Sequence, residues 1–187
     1  MTMDMTLSAD RRFEWGVGKV MGDKMAWMYG EYFAEMGPVM AEYDNQQAAG
    51  FIIVDASISG VKPTSGVFST WPNAQAHIDF HNDPRFLNVQ VERDAAFDMF
   101  SFGNAFQSMD EVISLNTDSD YAVIFAANNP LDSDPIFDLP LEPDSPGQTY
   151  AGKKMSLRPW SDAAEELMSD APDGVEVYRI RFSADAS

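Results

Sequence analysis

The chain of 187 residues carries 30 acidic against 12 basic residues, a net charge of −18, with 45% hydrophobic and 12% aromatic residues. That length and composition fit one globular domain, or two small ones, with a sizeable core, while the charge opposes phosphate backbones and anionic lipid surfaces. Cysteine is absent, which excludes disulfides, thiolate nucleophiles and cysteine-ligated metal centres.

The basic residues make only isolated pairs, Arg11-Arg12 and Lys153-Lys154, so neither nucleic acid nor membrane is an expected partner. Residues 1–12 lack the apolar core of a signal peptide, and no run approaches the ~18 apolar residues of a membrane span. A soluble, cytoplasmic protein is the expectation.

Residues 13–20 alternate Phe13, Trp15 and Val17 against Glu14, Gly16 and Gly18, the pattern of a half-buried strand. Residues 24–44 then read as a helix: Tyr29, Phe33, Met36, Met40 and Tyr43 recur at spacings of three and four, with Glu31, Glu35 and Glu42 facing away. Pro38 lies inside this run and is expected to bend or divide it. Residues 51–58 are apolar and β-branched enough for a strand, and a turn follows around Gly60 and Pro63. Residues 66–71 form the next strand, after which Pro72 and a cap at Asn73 or Thr70 open a helix. This helix stops before Asp83-Pro84, and residues 86–97 add another turn or two. Residues 98–106 alternate Phe100, Phe102 and Phe106 and read as a strand. The order is β-α-β-β-α-β, a ferredoxin-like unit.

Beyond Met109 the composition shifts: residues 110–187 hold 16 acids and 5 bases, a net charge of −11. Residues 121–127 read as a strand. Residues 128–148 place Pro130, Pro135, Pro140, Pro143 and Pro146 among five acids, a long loop of the kind that serves as a lid or a mobile connector. A strand at 153–160, a short helix at 161–169 capped by Ser161 or Asp162, and a strand at 175–182 complete the chain. Trp71-Pro72-Asn73-Ala74 and Trp160-Ser161-Asp162-Ala163 both follow a strand and open a helix. This echo suggests a shortened second ferredoxin-like unit whose first helix the proline-rich loop replaces. The expected domains are therefore 1–109, a ferredoxin-like unit, and 110–187, an acidic extension.

Four stretches resemble one family: Tyr32-Phe33-Ala34-Glu35-Met36-Gly37-Pro38-Val39-Met40, the strand at 50–54, Phe68-Ser69-Thr70-Trp71 through Ala74, and Phe80-His81-Asn82-Asp83-Pro84-Arg85-Phe86. Together they resemble the dimeric α/β-barrel superfamily, and within it the DUF1330-like group of small proteins of unknown function. The resemblance covers about half the chain. It implies an α+β fold in which two ferredoxin-like units pair their sheets into a barrel around a pocket, the partner being a second copy of the chain or its own second half. The superfamily includes cofactor-independent quinol monooxygenases, heme-binding enzymes, muconolactone isomerase-like proteins and stress-responsive proteins.

His77 and His81 are the only histidines, and their spacing of four puts them on one helical face. They suit a general acid or base, a hydrogen bond to a ligand, or ordinary helix surface. A metal site would need a third ligand from elsewhere, because no His-Glu-x-x-His pattern is present. Arg85 can hold a carboxylate in bidentate fashion or pair with a neighbouring acid, and Asp83 reads as a helix-end or turn residue. Trp15, Trp27, Tyr29, Trp71, Phe100 and Phe102 line a cavity or fill a core. Asp132-Ser133-Asp134 lacks the glycine and terminal glutamate of an EF-hand loop, and no GxSxG, P-loop or GxGxxG occurs.

The sequence thus leads to an uncharacterised protein that binds a small apolar or aromatic molecule in a barrel pocket. Trp15, Trp71, Arg85, Phe100 and Phe102 are its candidate ligand-binding residues, and no metal or cofactor is expected. One alternative is a cofactor-independent monooxygenase or isomerase in which His77 or His81 is catalytic. The other is a structural or interaction protein with a filled core.

Overall fold

The computed structural model describes residues 1–183. Ten strands and five α-helices are arranged as an eight-stranded antiparallel sheet, a separate two-stranded ribbon and a helical outer layer. The strands are β1 (Thr2–Leu7), β2 (Arg12–Val20), β3 (Gln46–Ala56), β4 (Ser65–Trp71), β5 (Phe97–Gln107), β6 (Glu111–Asn116), β7 (Asp120–Ala126), β8 (Phe137–Pro140), β9 (Lys154–Pro159) and β10 (Glu176–Phe182). The helices are α1 (Met25–Trp27), α2 (Phe33–Glu42), α3 (Ala74–His81), α4 (Pro84–Ala95) and α5 (Asp162–Ser169).

The large sheet runs β5-β2-β4-β3-β10-β7-β9-β8. Numbered within each half of the chain, both quartets follow the order fourth, first, third, second, which is the ferredoxin-like arrangement. The two ends of the sheet then meet. Phe106 and Leu141 form an antiparallel bridge, Glu142 N–H donates to the Ala105 carbonyl at 2.9 Å, and Gly147 N–H to the Gly103 carbonyl at 2.7 Å. The chain is an α+β barrel of the dimeric α/β type, closed on itself.

The proline-rich segment is the agent of that closure. It supplies β8, which pairs with β9, and then lies along β5. Backbone hydrogen bonds on both sides make it part of the wall rather than a lid or a mobile connector.

Side chains fill the barrel. Trp15 is fully buried, stacked on Phe51 at 4.9 Å and edge-on to Phe125 and Tyr178. Tyr150, just past the proline-rich segment, stacks on Phe125 at 3.8 Å and 10°. The β1–β6 ribbon, which the sequence reading did not anticipate, packs Met5, Leu7, Ile113 and Leu115 onto this core.

Three local expectations change. First, β2 is buried on both faces, because helices cover the Glu14, Gly16 and Gly18 side. The rings of Phe102 and Phe97 lie where a Cβ at Gly16 or Gly18 would stand, at 2.8 and 2.6 Å. Second, Pro38 does not divide the helix, since α2 continues through it, and a π-helical turn stands before it at Met28–Tyr32. The wider turn rotates the buried stripe onto Met28, Tyr32, Met36 and Val39, leaving Tyr29 and Phe33 exposed. Third, residues beyond Pro84 form three full turns, with Asp83 as the N-cap accepting from Arg85 N–H at 2.8 Å and Pro84 at the first helical position.

Candidate functional site

The site is built on the outer face of β2, not inside the barrel. Alternation turns Phe13, Trp15 and Val17 inward and Glu14 outward, beneath α3. Glu14 is only 6% exposed, and an unpaired carboxylate there would cost several kcal/mol. Three donors offset that cost: Trp71 Nε1–H, Ser69 Oγ–H at 3.2 Å and Gly103 N–H at 2.8 Å.

The last donor depends on a bulge. Between the pairs Trp15–Asn104 and Val17–Ser101, β5 carries one more residue than β2, and Gly103 takes up the extra length at φ +84°. Glycine accepts that left-handed conformation without penalty, and the bulge aims its N–H at Glu14.

α3 brings the histidines over this carboxylate, its start fixed by Asn73, whose side chain accepts from Ala76 N–H at 2.8 Å. His77 is 2% exposed and stacks on Trp71 at 4.6 Å and 15°. Its Nε2 lies 3.8 Å from Glu14 Oε1, beyond hydrogen-bond length, and its Nδ1 is buried with no hydrogen-bond partner.

His81 packs edge-on to His77 at 4.6 Å, between Phe80 and Phe86. Its Nδ1 is 2.9 Å from the His77 carbonyl oxygen. A carbonyl only accepts, so Nδ1 carries the hydrogen and the neutral ring keeps its lone pair on Nε2. Burial is the largest influence on His81 and pushes its pKa below the ordinary histidine value. At neutral pH His81 is therefore an uncharged base.

Arg93 adds a buried cation. Its guanidinium lies over Phe86 at 5.1 Å, Phe100 at 5.4 Å and Phe102 at 5.7 Å, and its Nε is 2.9 Å from Asp94. Chemically, the layer offers an uncharged imidazole base, a second imidazole with an unused nitrogen, an anchored carboxylate and an aromatic surround. Among the described residues, no three His, Asp or Glu side chains converge as metal ligands.

Of the residues singled out from sequence, the structure gathers His77, His81 and Trp71 in one place. Phe100 and Phe102 join them through Arg93 and Phe86. Trp15 lies on the opposite side of the sheet, in the filled barrel. Phe106 is there too, because the Gly103 bulge breaks the alternation of Phe100 and Phe102 with it. Arg85 sits at the α3–α4 junction, its fork taken by Glu42 at 2.7 and 3.0 Å and by Asp83 at 2.7 and 3.0 Å, so it holds these acids instead of a substrate carboxylate.

Sequence reasoning passed over Glu14 and Arg93. For Glu14 a signal existed: it shares a strand face with Gly16 and Gly18, and glycines at alternate positions mark a face approached closely by other groups. Arg93 gave no such sign. Two open clefts, of about 440 Å³ beside Ala126–Pro130 and about 370 Å³ around Trp160, Arg179 and Arg181, lie in the second half of the chain and not at the histidines.

No protein-family model matches the chain, and no curated protein matches it. The likeness to the DUF1330-like group therefore rests on the short motifs alone. Two solved structures are similar over nearly the whole length. One, from Fusobacterium nucleatum subsp. nucleatum and provisionally named a monooxygenase, shares 10% identity, with 93% of each chain covered and a TM-score of 0.44. The other, an anthrone oxidase-like protein, shares 11% identity, with 96% of each chain covered and a TM-score of 0.42. At those values neither carries a functional argument.

Proposed function

We propose that the chain binds a small aromatic molecule in the layer between β2, β5 and the helices α3 and α4, and that His81 takes up a proton from it. The single observation that carries this reading is the geometry of the two imidazoles. His81 is neutral with a free lone pair on Nε2, and behind it His77 is enclosed with an unpartnered Nδ1. A general base of this kind removes a proton from a phenolic hydroxyl or an activated C–H, and the imidazolium returns it elsewhere on the molecule in an isomerisation. A phenolate or enolate formed in this way is also the species from which a cofactor-independent oxygenation starts, with dioxygen as co-substrate. Glu14 is a positioning residue: its carboxylate is fixed by three donors and faces the Nε2 edge of His77.

The occupied barrel favours a second reading, a structural or interaction protein whose interior is its own ligand. The two readings part on one experiment. Binding of a panel of small phenols, 1-naphthol among them, is measured by calorimetry for the intact protein and for His81→Gln. Saturable binding that weakens in the variant supports a ligand site in the helical layer. Binding of no member of the panel favours the structural reading.

A further inference from the structure

The second half repeats the strand arrangement of the first but buries a charge of opposite sign at the corresponding strand pair. In the first half Glu14 on β2 stands across from Ser69 on β4, two residues before Trp71. In the second half Ala122 on β7 stands across from Arg158 on β9, two residues before Trp160. Where the first half buries a carboxylate, the second buries a guanidinium, 2% exposed.

Arg158 is unlike the other arginines of this acidic chain. Arg11, Arg12, Arg85, Arg93, Arg179 and Arg181 each pair with a carboxylate. Among the described residues Arg158 has none within ion-pair distance. Asp134 and Asp138 influence it only through space, and Asp138 is engaged by Lys154 at 2.8 Å.

Neutral oxygens of the segment that stands in for the missing helix occupy its fork instead. Nη1 donates to the Ser133 carbonyl and, at 3.0 Å, to Ser133 Oγ, while Nη2 donates to Asn129 Oδ1 at 2.6 Å. Three of five guanidinium hydrogens are thereby used. One of the two left over is Nε–H, which is buried with no partner. Nε–H and Nη2–H together form the side of the fork that receives a carboxylate or phosphate in bidentate fashion.

We infer that Arg158 is the anchor of a small-oxyanion site, for a carboxylate or a phosphate group, and that the Asn129 amide oxygen stands in the anion's place when it is absent, while Ser133 holds Nη1 on the other side of the fork. That amide oxygen mimics one oxygen of the ligand. Binding therefore exchanges a neutral amide oxygen for an anionic one and satisfies Nε–H. This site is separate from the histidine layer and does not depend on what that layer does.

The test follows the arginine Nε–H resonances of the intact protein by NMR. Sodium acetate and sodium phosphate are titrated in turn, with chloride keeping ionic strength constant. A saturable shift of the Arg158 signal is expected; acetate alone identifies a carboxylate site and phosphate alone a phosphate site. Asn129→Ala removes a competing acceptor while leaving Arg158 in place, so the anion should bind it about tenfold more tightly. A guanidinium that serves only to pin the loop would show no saturable shift with either anion, or no tighter binding in Asn129→Ala. Either result overturns the inference.

Discussion

His81 is the residue on which the proposed chemistry turns, and its environment sets a sign that can be measured. Burial disfavours the imidazolium, so the unfolded chain takes up the proton first, near the ordinary value of 6.5. The contribution is complete above that pH and is lost as pH falls through the lower folded-state value. The denaturation midpoint of the native protein should therefore fall more steeply between pH 7.5 and 5.5 than that of His81→Gln; parallel pH profiles would contradict the assignment. Glu14 makes a different prediction, since it holds three donors at once. Glu14→Ala leaves Trp71 Nε1–H, Ser69 Oγ–H and Gly103 N–H without their acceptor, and a loss of roughly 3 kcal/mol or more in urea unfolding is expected. Glu14→Gln keeps an acceptor and should lose less.

At the scale of elements, the Gly103 bulge and the π-helical turn decide what faces what. Gly103→Ala forces a side chain into a left-handed backbone. The Cβ itself would make only ordinary contacts, the nearest at 3.6 Å, so the expected loss of about 1–2 kcal/mol is conformational, measured as a shift in the urea midpoint. The same two irregularities explain how much of the fold was legible. Strands at 13–20, 66–71, 121–127 and 175–182 and the capped helices after Trp71 and Trp160 follow from alternation and capping, and the structure places elements there. The phase of Tyr29 and Phe33 and the partition of Phe100, Phe102 and Phe106 did not follow. A π turn or a bulge adds one residue to a count that periodicity assumes is constant. The closing role of 128–148 was equally hidden, because β8 is four residues long and its proline-rich neighbours pair through backbone groups. The site was half legible: the histidines lie one turn apart, whereas Glu14 becomes part of it only once helices cover the outer face of β2.

At the scale of the whole molecule, barrel closure within one chain has two consequences. The two edges of the sheet meet within the chain, β5 against the segment that follows β8, so pairing with a second copy is not needed to bring them together. We propose that 110–187 plays the part a second copy plays in a dimeric barrel, and native mass spectrometry should give the mass of a single chain; a dimer that persists on dilution would contradict this. The interior, in turn, is held by its own rings. Tyr150→Ala removes a side chain stacked between the halves, and a loss of about 3–5 kcal/mol is expected from urea unfolding, in the range of buried ring truncations. Wild-type stability in that variant would place Tyr150 outside the load of the core.

A barrel occupied by its own side chains stands apart from a helical layer proposed to handle a proton, and long-range proton–nitrogen NMR of the imidazoles tests that separation most directly. At pH 7.5 the spectrum should show neutral His81 with its hydrogen on Nδ1, and adding 1-naphthol should move the His81 and His77 nitrogens while the signals of Trp15 and Tyr150 stay in place. A protonated His81, or a ligand that perturbs Trp15 and Tyr150 and leaves both imidazoles unchanged, would contradict it.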